Sequence, residues 1–252
     1  MSSSSDNKTG QPDEAEIRSY ASPPCYQHEL DPNYLGIAEA DEKELPSVDS
    51  SWTVVRAWRT TTRSRLIAFR SSLAVDECKR RAISVARNLQ EAAILTGHQR
   101  IGFCWPMAGE IDLRPLMTDL VEGGIDAALP VITEKDRPLE FWRWHPDSDL
   151  DYSGPMGIPV PTTRQLVKVT ALLIPMIGFD NQGHRLGHGG GYFDRTLAEM
   201  HPRPKAIGVG HEECRLPSIF PQAHDIPMDL IVTDAGIYKT DESVAGILPV
   251  TD

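Results

Sequence analysis

The chain has 252 residues, 40% hydrophobic and 24% charged, with a formal net charge of −11 at pH 7, a composition that supports one sizeable core. Residues 1–50 hold eleven Asp/Glu against three Lys/Arg, so −8 lies there and −3 on the rest, which leaves no broad basic face for nucleic acid. The longest apolar run, 169–179, is interrupted by Pro175, the N-terminus has no basic start or apolar stretch, and Cys25, Cys78, Cys104 and Cys214 form no C-x-x-C pair; no membrane span, secretory signal, disulfide framework or zinc-finger spacing is expected, and a cytoplasmic location is.

Residues 1–50 read as an N-terminal extension, partly disordered, because 1–15 are Ser-rich and 38–50 acidic, with too few large apolar groups to offset the entropy of ordering. Between them, 20–35 carry Pro23, Pro24, Tyr26, Leu30, Pro32, Tyr34 and Leu35; this segment is predicted to lie extended over the folded domain, 51–252, or over a neighbouring subunit. Leu66, Phe69, Leu73, Ile83, Ala86, Leu89, Ala93 and Ile94 recur at helical spacing, which predicts two helices parted near Ala74. Short β-rich runs follow at 100–105, 127–133, 139–145, 170–176, 205–210 and 228–232, with helical stretches at 112–122 and 191–200. The expected class is α/β: a layered helix-sheet-helix with a mostly parallel central sheet (Rossmann-like), a single domain plus the N-terminal extension.

Ligands of open α/β sheets bind beyond the carboxyl ends of strands, which directs attention to the segment after 170–176. It runs I-G-F-D-N-Q-G-H-R-L-G-H-G-G-G-Y-F-D-R from Ile177 to Arg195. Glycines let backbone amides approach a phosphate, and the helix that follows adds unpaired amides and a partial positive charge. A dinucleotide fingerprint does not fit, because its third glycine position is Tyr192, and no Gly-Lys-Ser/Thr ends the loop as a Walker-type sequence requires.

The run F-D-N-Q-G-H-R-L-G-H-G-G-G-Y-F-D-R resembles the signature of the 5-formyltetrahydrofolate cyclo-ligase (5,10-methenyltetrahydrofolate synthetase) family. The resemblance covers residues 59–237 and includes G-E-I-D-L-R-P-L at 109–116, A-L-P-V-I at 128–132, P-L-E-F at 138–141, M-G-I-P-V-P at 156–161 and H-D-I-P-M-D at 224–229. It implies an ATP- and Mg2+-dependent ligase that converts 5-formyltetrahydrofolate to 5,10-methenyltetrahydrofolate, ADP and phosphate, through phosphorylation of the formyl oxygen.

By the same resemblance, ATP would be held by Arg59, Arg63, Arg185, Leu186, Gly187, His188, Gly189, Gly190, Gly191, Tyr192 and Phe193. The folate would meet Trp105, Glu110, His188, Gly189, Gly190, Gly191 and Tyr192, with Arg185 and Tyr192 nearest the chemistry. Asp194 and Asp225 match magnesium ligands. A carboxylate at Glu110 can accept the N–H groups of a pterin, and Trp105 offers a flat apolar surface. Two departures from the family pattern are Arg59 where a lysine is usual and Phe193 where a tyrosine is common; His184 and His188 carry no expected catalytic duty. Each assignment competes with a plainer reading: a solvated basic helix face with Arg56, Arg65 and Arg70, a helix cap for Asp194, a turn for Asp225, and core packing for Trp105. Trp142 and Trp144 share one face of their strand, core or pocket. The expected partners are 5-formyltetrahydrofolate and ATP, with no nucleic acid and no membrane, and a monomer is expected. The alternative is a divergent paralogue or a non-catalytic folate- or nucleotide-binding protein of the same fold.

Overall fold

The structure is a computed structural model and describes residues 45–47, 50–107, 109–154, 157–241 and 246–249. The segment 20–35 and its predicted packing lie outside the described residues.

The two predicted helices are α1 (Trp52–Ser71) and α2 (Val75–Glu91), parted at Ala74. The chain then alternates: β1 (Arg100–Phe103), α3 (Arg114–Glu122), β2 (Asp126–Val131), β3 (Glu140–Trp144), β4 (Leu150–Asp151), β5 (Val160–Pro161), β6 (Ala171–Pro175), β7 (Gly178–Asp180), β8 (Arg185–Leu186), α4 (Tyr192–Glu199), β9 (Lys205–Gly210), β10 (Arg215–Leu216), β11 (Leu230–Thr233), β12 (Ile237–Asp241) and β13 (Gly246–Pro249). Eight strands form the main sheet in the order β13-β12-β11-β9-β6-β1-β2-β3. The five central strands are parallel, whereas β3, β12 and β13 join antiparallel at the edges.

Alternating side chains divide the core into two layers, as a period of two requires. One face carries Ile101, Ala127, Leu173 and Ile207 and packs against Val85 and Leu89 of α2 and Met117 of α3. The other carries Ala128, Leu172, Ile174 and Ala206 and packs against Leu197 of α4. Each fully buried Leu or Ile contributes about 1.5–3 kcal/mol relative to exposure, so continuous apolar runs such as Ala171–Pro175 belong in the sheet centre. Trp144 settles in the core, edge-on to Phe103 with ring centroids 5.0 Å apart, while Trp142 is half-buried and donates to Glu140.

Two features position the site. After β1 the chain forms β2 on one side, then returns to form β6 on the other, so the crevice beyond β1 and β6 lies at a topological switch point. Strands β7, β8 and β10 form a separate three-stranded sheet that packs against α1 through Leu66, Leu186, Leu216 and Ile219. That small sheet is the stem of the glycine-rich segment, and it fixes α1 beside the crevice. No helix of the described residues is long and apolar enough to cross a membrane.

Candidate active site

The glycine-rich segment leaves β8 and turns directly into α4. Gly189 and Gly191 have φ of 95° and 64°, left-handed conformations that side chains disfavour. A β-carbon on Gly190 would meet the Tyr192 ring at 2.8 Å, whereas one on Gly187 would meet nothing within 4 Å. Gly191 is the N-cap of α4 and makes no side-chain cap hydrogen bond, and a helix N-terminus of this kind favours an anion. Arg195 donates to the Gly190 carbonyl at 2.6 Å and lies 4.9 Å over the Tyr192 ring, which fixes the bend.

Cations from α1 reach this segment. Arg63 Nε donates to the Gly187 carbonyl at 2.7 Å. One turn earlier, Arg59 donates to the carbonyls of Ile219 and Phe220, and its Nη2 lies 2.5 Å from Asp225 Oδ2. Arg185 Nη2 donates to Asp194 Oδ2 at 2.8 Å, while the Ile226 amide donates to Asp194 Oδ1 at 3.0 Å. The two aspartates therefore sit on adjoining segments, each paired with one arginine. Burial acts to raise the Asp225 pKa, but the hydrogen bonds and charge of Arg59 outweigh it and hold the carboxyl below its ordinary value.

Glu110 lies beyond β1, with both carboxylate oxygens engaged. Oε2 accepts from the Met107 amide at 3.0 Å, and Oε1 lies 3.0 Å from His188 Nε2 and 3.1 Å from Arg70 Nη1. Burial again acts to raise its pKa; the His188 hydrogen bond, the Arg70 and His188 charges and the Met107 amide outweigh it and hold the group below the ordinary 4.5. Trp105 is half-buried, with the Arg114 guanidinium 4.7 Å over its ring.

One cavity gathers Arg59, Arg63, Trp105, Glu110, Arg185, Asp194 and Asp225, with about 1110 Å³ of empty space including its open mouth. Apart from His224, its remaining wall is largely apolar and includes Pro130, Ile132, Leu139, Ile158 and Pro175, residues at or beyond the ends of β2 and β6 or inside the sequence motifs quoted above.

The 5-formyltetrahydrofolate cyclo-ligase family model matches residues 55–234, which span α1 from Val55 onward, strands β1 to β11 and every segment of this cavity. The chain belongs to the 5-formyltetrahydrofolate cyclo-ligase family. A 5-formyltetrahydrofolate cyclo-ligase of Escherichia coli is 32% identical over 138 residues, covering 52% of this chain and 75% of the relative. A probable 5-formyltetrahydrofolate cyclo-ligase of Caenorhabditis elegans is 23% identical over 171 residues, covering 62% of this chain and 83% of its own. The solved 5,10-methenyltetrahydrofolate synthetase of Aquifex aeolicus shares the mixed α/β fold with a TM-score of 0.65 and 26% identity, over 73% of this chain and 93% of that one.

Every cyclo-ligase position named from the sequence lines the cavity: Arg59, Arg63, Trp105, Glu110, the ten residues 185–194, and Asp225. The plainer readings divide. Arg56 and Arg65 are exposed, but Arg59, Arg63 and Arg70 are buried, so α1 is not a uniformly solvated basic face. Asp194 does not cap α4, whereas Asp225 does close a turn by accepting the Gln222 amide while it pairs with Arg59. Arg70, which the plainer reading places on a solvated face, is buried against Glu110. The available signal was spacing: 59, 63 and 70 share one helical face with Val55 and Leu66.

No group of three or more His, Cys, Asp or Glu side chains able to hold a metal occurs among the described residues. Magnesium is commonly bound by one or two carboxylates and completes its shell with water and phosphate oxygens. Asp194 and Asp225, on adjoining segments and facing the cavity, fit that requirement through both Asp194 oxygens and Asp225 Oδ1, which each accept one hydrogen bond and keep a further lone pair, whereas Asp225 Oδ2 is taken by Arg59 and the Gln222 amide.

Proposed function

We propose that the protein closes a ring on 5-formyltetrahydrofolate, producing 5,10-methenyltetrahydrofolate while ATP is converted to ADP and phosphate. The observation that carries this reading is convergence: cations from α1, a carboxylate beyond β1 and the amide-rich entry to α4 face one cavity at the switch point of the sheet. Family membership supplies the reaction class, since the E. coli relative is named a 5-formyltetrahydrofolate cyclo-ligase.

The chemistry accounts for this set of groups. A formamide carbon is a weak electrophile and its oxygen a poor leaving group. The formyl oxygen attacks the γ-phosphorus, and the bond to ADP breaks. The neighbouring amine nitrogen then attacks the formyl carbon and loses its proton, and the carbon–oxygen bond breaks to release phosphate. Charge on the transferring group is opposed by fixed cations and amides rather than by a nucleophile. Arg185 and the amides from Gly187 to the start of α4 take that role, and Arg59 and Arg63 hold the outer phosphates. Glu110 accepts N–H groups of the pterin, Trp105 presents its ring face, and Tyr192 borders the reacting centre. Asp194 and Asp225 would hold magnesium, which neutralises phosphate charge when bound. We read the active unit as a monomer that binds two small molecules.

The deciding experiment mixes the purified chain with 5-formyltetrahydrofolate, ATP and magnesium and follows the near-ultraviolet absorbance of the methenyl product, with ATP and magnesium each omitted in turn. A rise that requires both supports the reading. A folded protein that gives no rise with intact substrate overturns it, and direct folate titration then separates a binding protein from a divergent paralogue.

A further inference from the structure

Glu110 occupies a turn that is braced from behind by groups outside the main cavity. Gly109, just before it, has φ of 73°, and a β-carbon there would come within 2.4 Å of the Arg70 carbonyl oxygen. The turn therefore rests directly on the C-terminal end of α1. His211, which follows β9, has Nε2 2.8 Å from the Gly109 carbonyl oxygen and ties down the other side. The Arg70 and Glu110 side chains are 3% and 6% exposed. A second, much smaller cavity behind Glu110 is lined by Arg70, Cys104 and His211, and Arg70 does not border the first.

A salt bridge this deep is weak evidence of stability alone, because apolar side chains of similar volume often serve as well or better. Arg70 Nε and Nη1 are also buried without a hydrogen-bond partner among the described residues, so that Nη1 meets Glu110 as an ion pair without hydrogen-bond geometry, an unmet cost that calls for an explanation beyond packing. Both observations are explained if the charge acts on Glu110. We propose that Arg70 is a positioning residue for folate recognition: it touches no substrate, and it fixes the Glu110 carboxylate as an acceptor facing the pterin end of the cavity. The inference rests on Glu110 being the folate-binding carboxylate.

The groups facing Glu110 support a specific role for this cation. From the glycine-rich segment comes His188, from the end of β1 Cys104, and from beyond β9 His211. Burial and the Glu110 charge push the Cys104 thiol up, leaving it neutral. Burial also lowers the His211 pKa, which favours the uncharged ring. Arg70 is the one guanidinium within ion-pair distance of Glu110 among the described residues, and it is charged at every working pH.

The test is direct titration of the full chain with 5-formyltetrahydrofolate, and separately with ATP, from pH 5 to 8, for the native protein, Arg70→Lys, Arg70→Met, Glu110→Gln and the double variant Arg70→Met/Glu110→Gln. Circular dichroism reports folding. Glu110→Gln is expected to weaken folate binding about 10- to 100-fold. Arg70→Met should weaken it comparably and move its loss on acidification to higher pH, because the carboxyl then protonates more readily. Arg70→Lys should recover most of the affinity, and ATP affinity should stay within twofold throughout. The double variant removes both buried charges, so it should fold even where Arg70→Met does not, and should bind folate no worse than Glu110→Gln. Native folate affinity in Arg70→Met beside an impaired Glu110→Gln overturns the positioning role. So does weakened binding with an unmoved pH dependence and no recovery in Arg70→Lys. Unchanged affinity in Glu110→Gln overturns the underlying reading of Glu110 instead.

Discussion

Helices α1 and α2 follow one another in the chain and bury similar stripes, but they do opposite work. Along α2 the buried positions are Ala82, Val85 and Leu89, pressed on the central sheet. Along α1 they are Val55, Arg59, Thr62, Arg63, Leu66 and Arg70. Helical period identifies the buried side in both; it does not say whether that side is core or site. What separates them is pairing. Guanidinium groups tolerate burial only where carboxylates and carbonyls wait for them, and α1 finds these in Asp225, the Ile219 and Gly187 carbonyls and Glu110. The face of α2 meets Leu, Ile and Phe side chains.

The contrast can be broken most severely on α1. Arg59→Ala strands Asp225 at 11% exposure, so unfolding free energy should fall by about 3–5 kcal/mol, and titration should show weaker ATP binding with folate binding unchanged. Lost stability with native ATP affinity would make Arg59 purely structural. On α2, Leu89→Ala empties a fully buried position and should cost about 2–5 kcal/mol in denaturant unfolding while both ligand affinities stay native. A change in either affinity there would dissolve the distinction between the helices.

His211 stands where the charges of Arg81 on α2 and Arg70 on α1 are both felt. Burial is the main cause that lowers its pKa from 6.5, the Gly109 carbonyl opposing it only in part, and the buried Nδ1 has no partner among the described residues. A folded-state pKa below the unfolded value means that the neutral ring stabilises the fold fully above 6.5 and that this contribution is lost as pH falls through the lower folded value. Unfolding free energy measured below pH 6.5 should therefore decline more steeply in the native chain than in His211→Asn. Equal slopes would show that the ring tolerates a proton where it sits. Smallest of all, Arg56→Ala and Arg65→Ala on the exposed side of α1 should change stability by no more than about 0.5 kcal/mol and leave ATP affinity native. Weaker ATP binding in either would credit the charge of the whole helix rather than its buried stripe.

Both helices, their break at Ala74, the six main strand runs and the helix after the glycines were legible because each rests on local periodicity. The edge strands β12 and β13 and the small β10-β7-β8 sheet were not, since their pieces are two to five residues long and carry too few alternations to register. The role of Arg70 was not legible for a related reason. Spacing sets it on the face of Val55 and Leu66, but its partner Glu110 is forty positions away, and only that partner decides that a guanidinium is held there.

By itself, then, the sequence determined the local elements, the amide-rich turn into α4 and the family resemblance, all of which depend on residues within a few turns of one another. Only the tertiary structure decided which charges meet. The pairs Arg59 with Asp225, 166 positions apart, and Arg70 with Glu110 exist because the strand order brings the ends of β1 and β6 together beside α1. A long-range ion pair leaves no periodic trace in either segment, since its energy depends on a burial that forms only when the sheet is assembled.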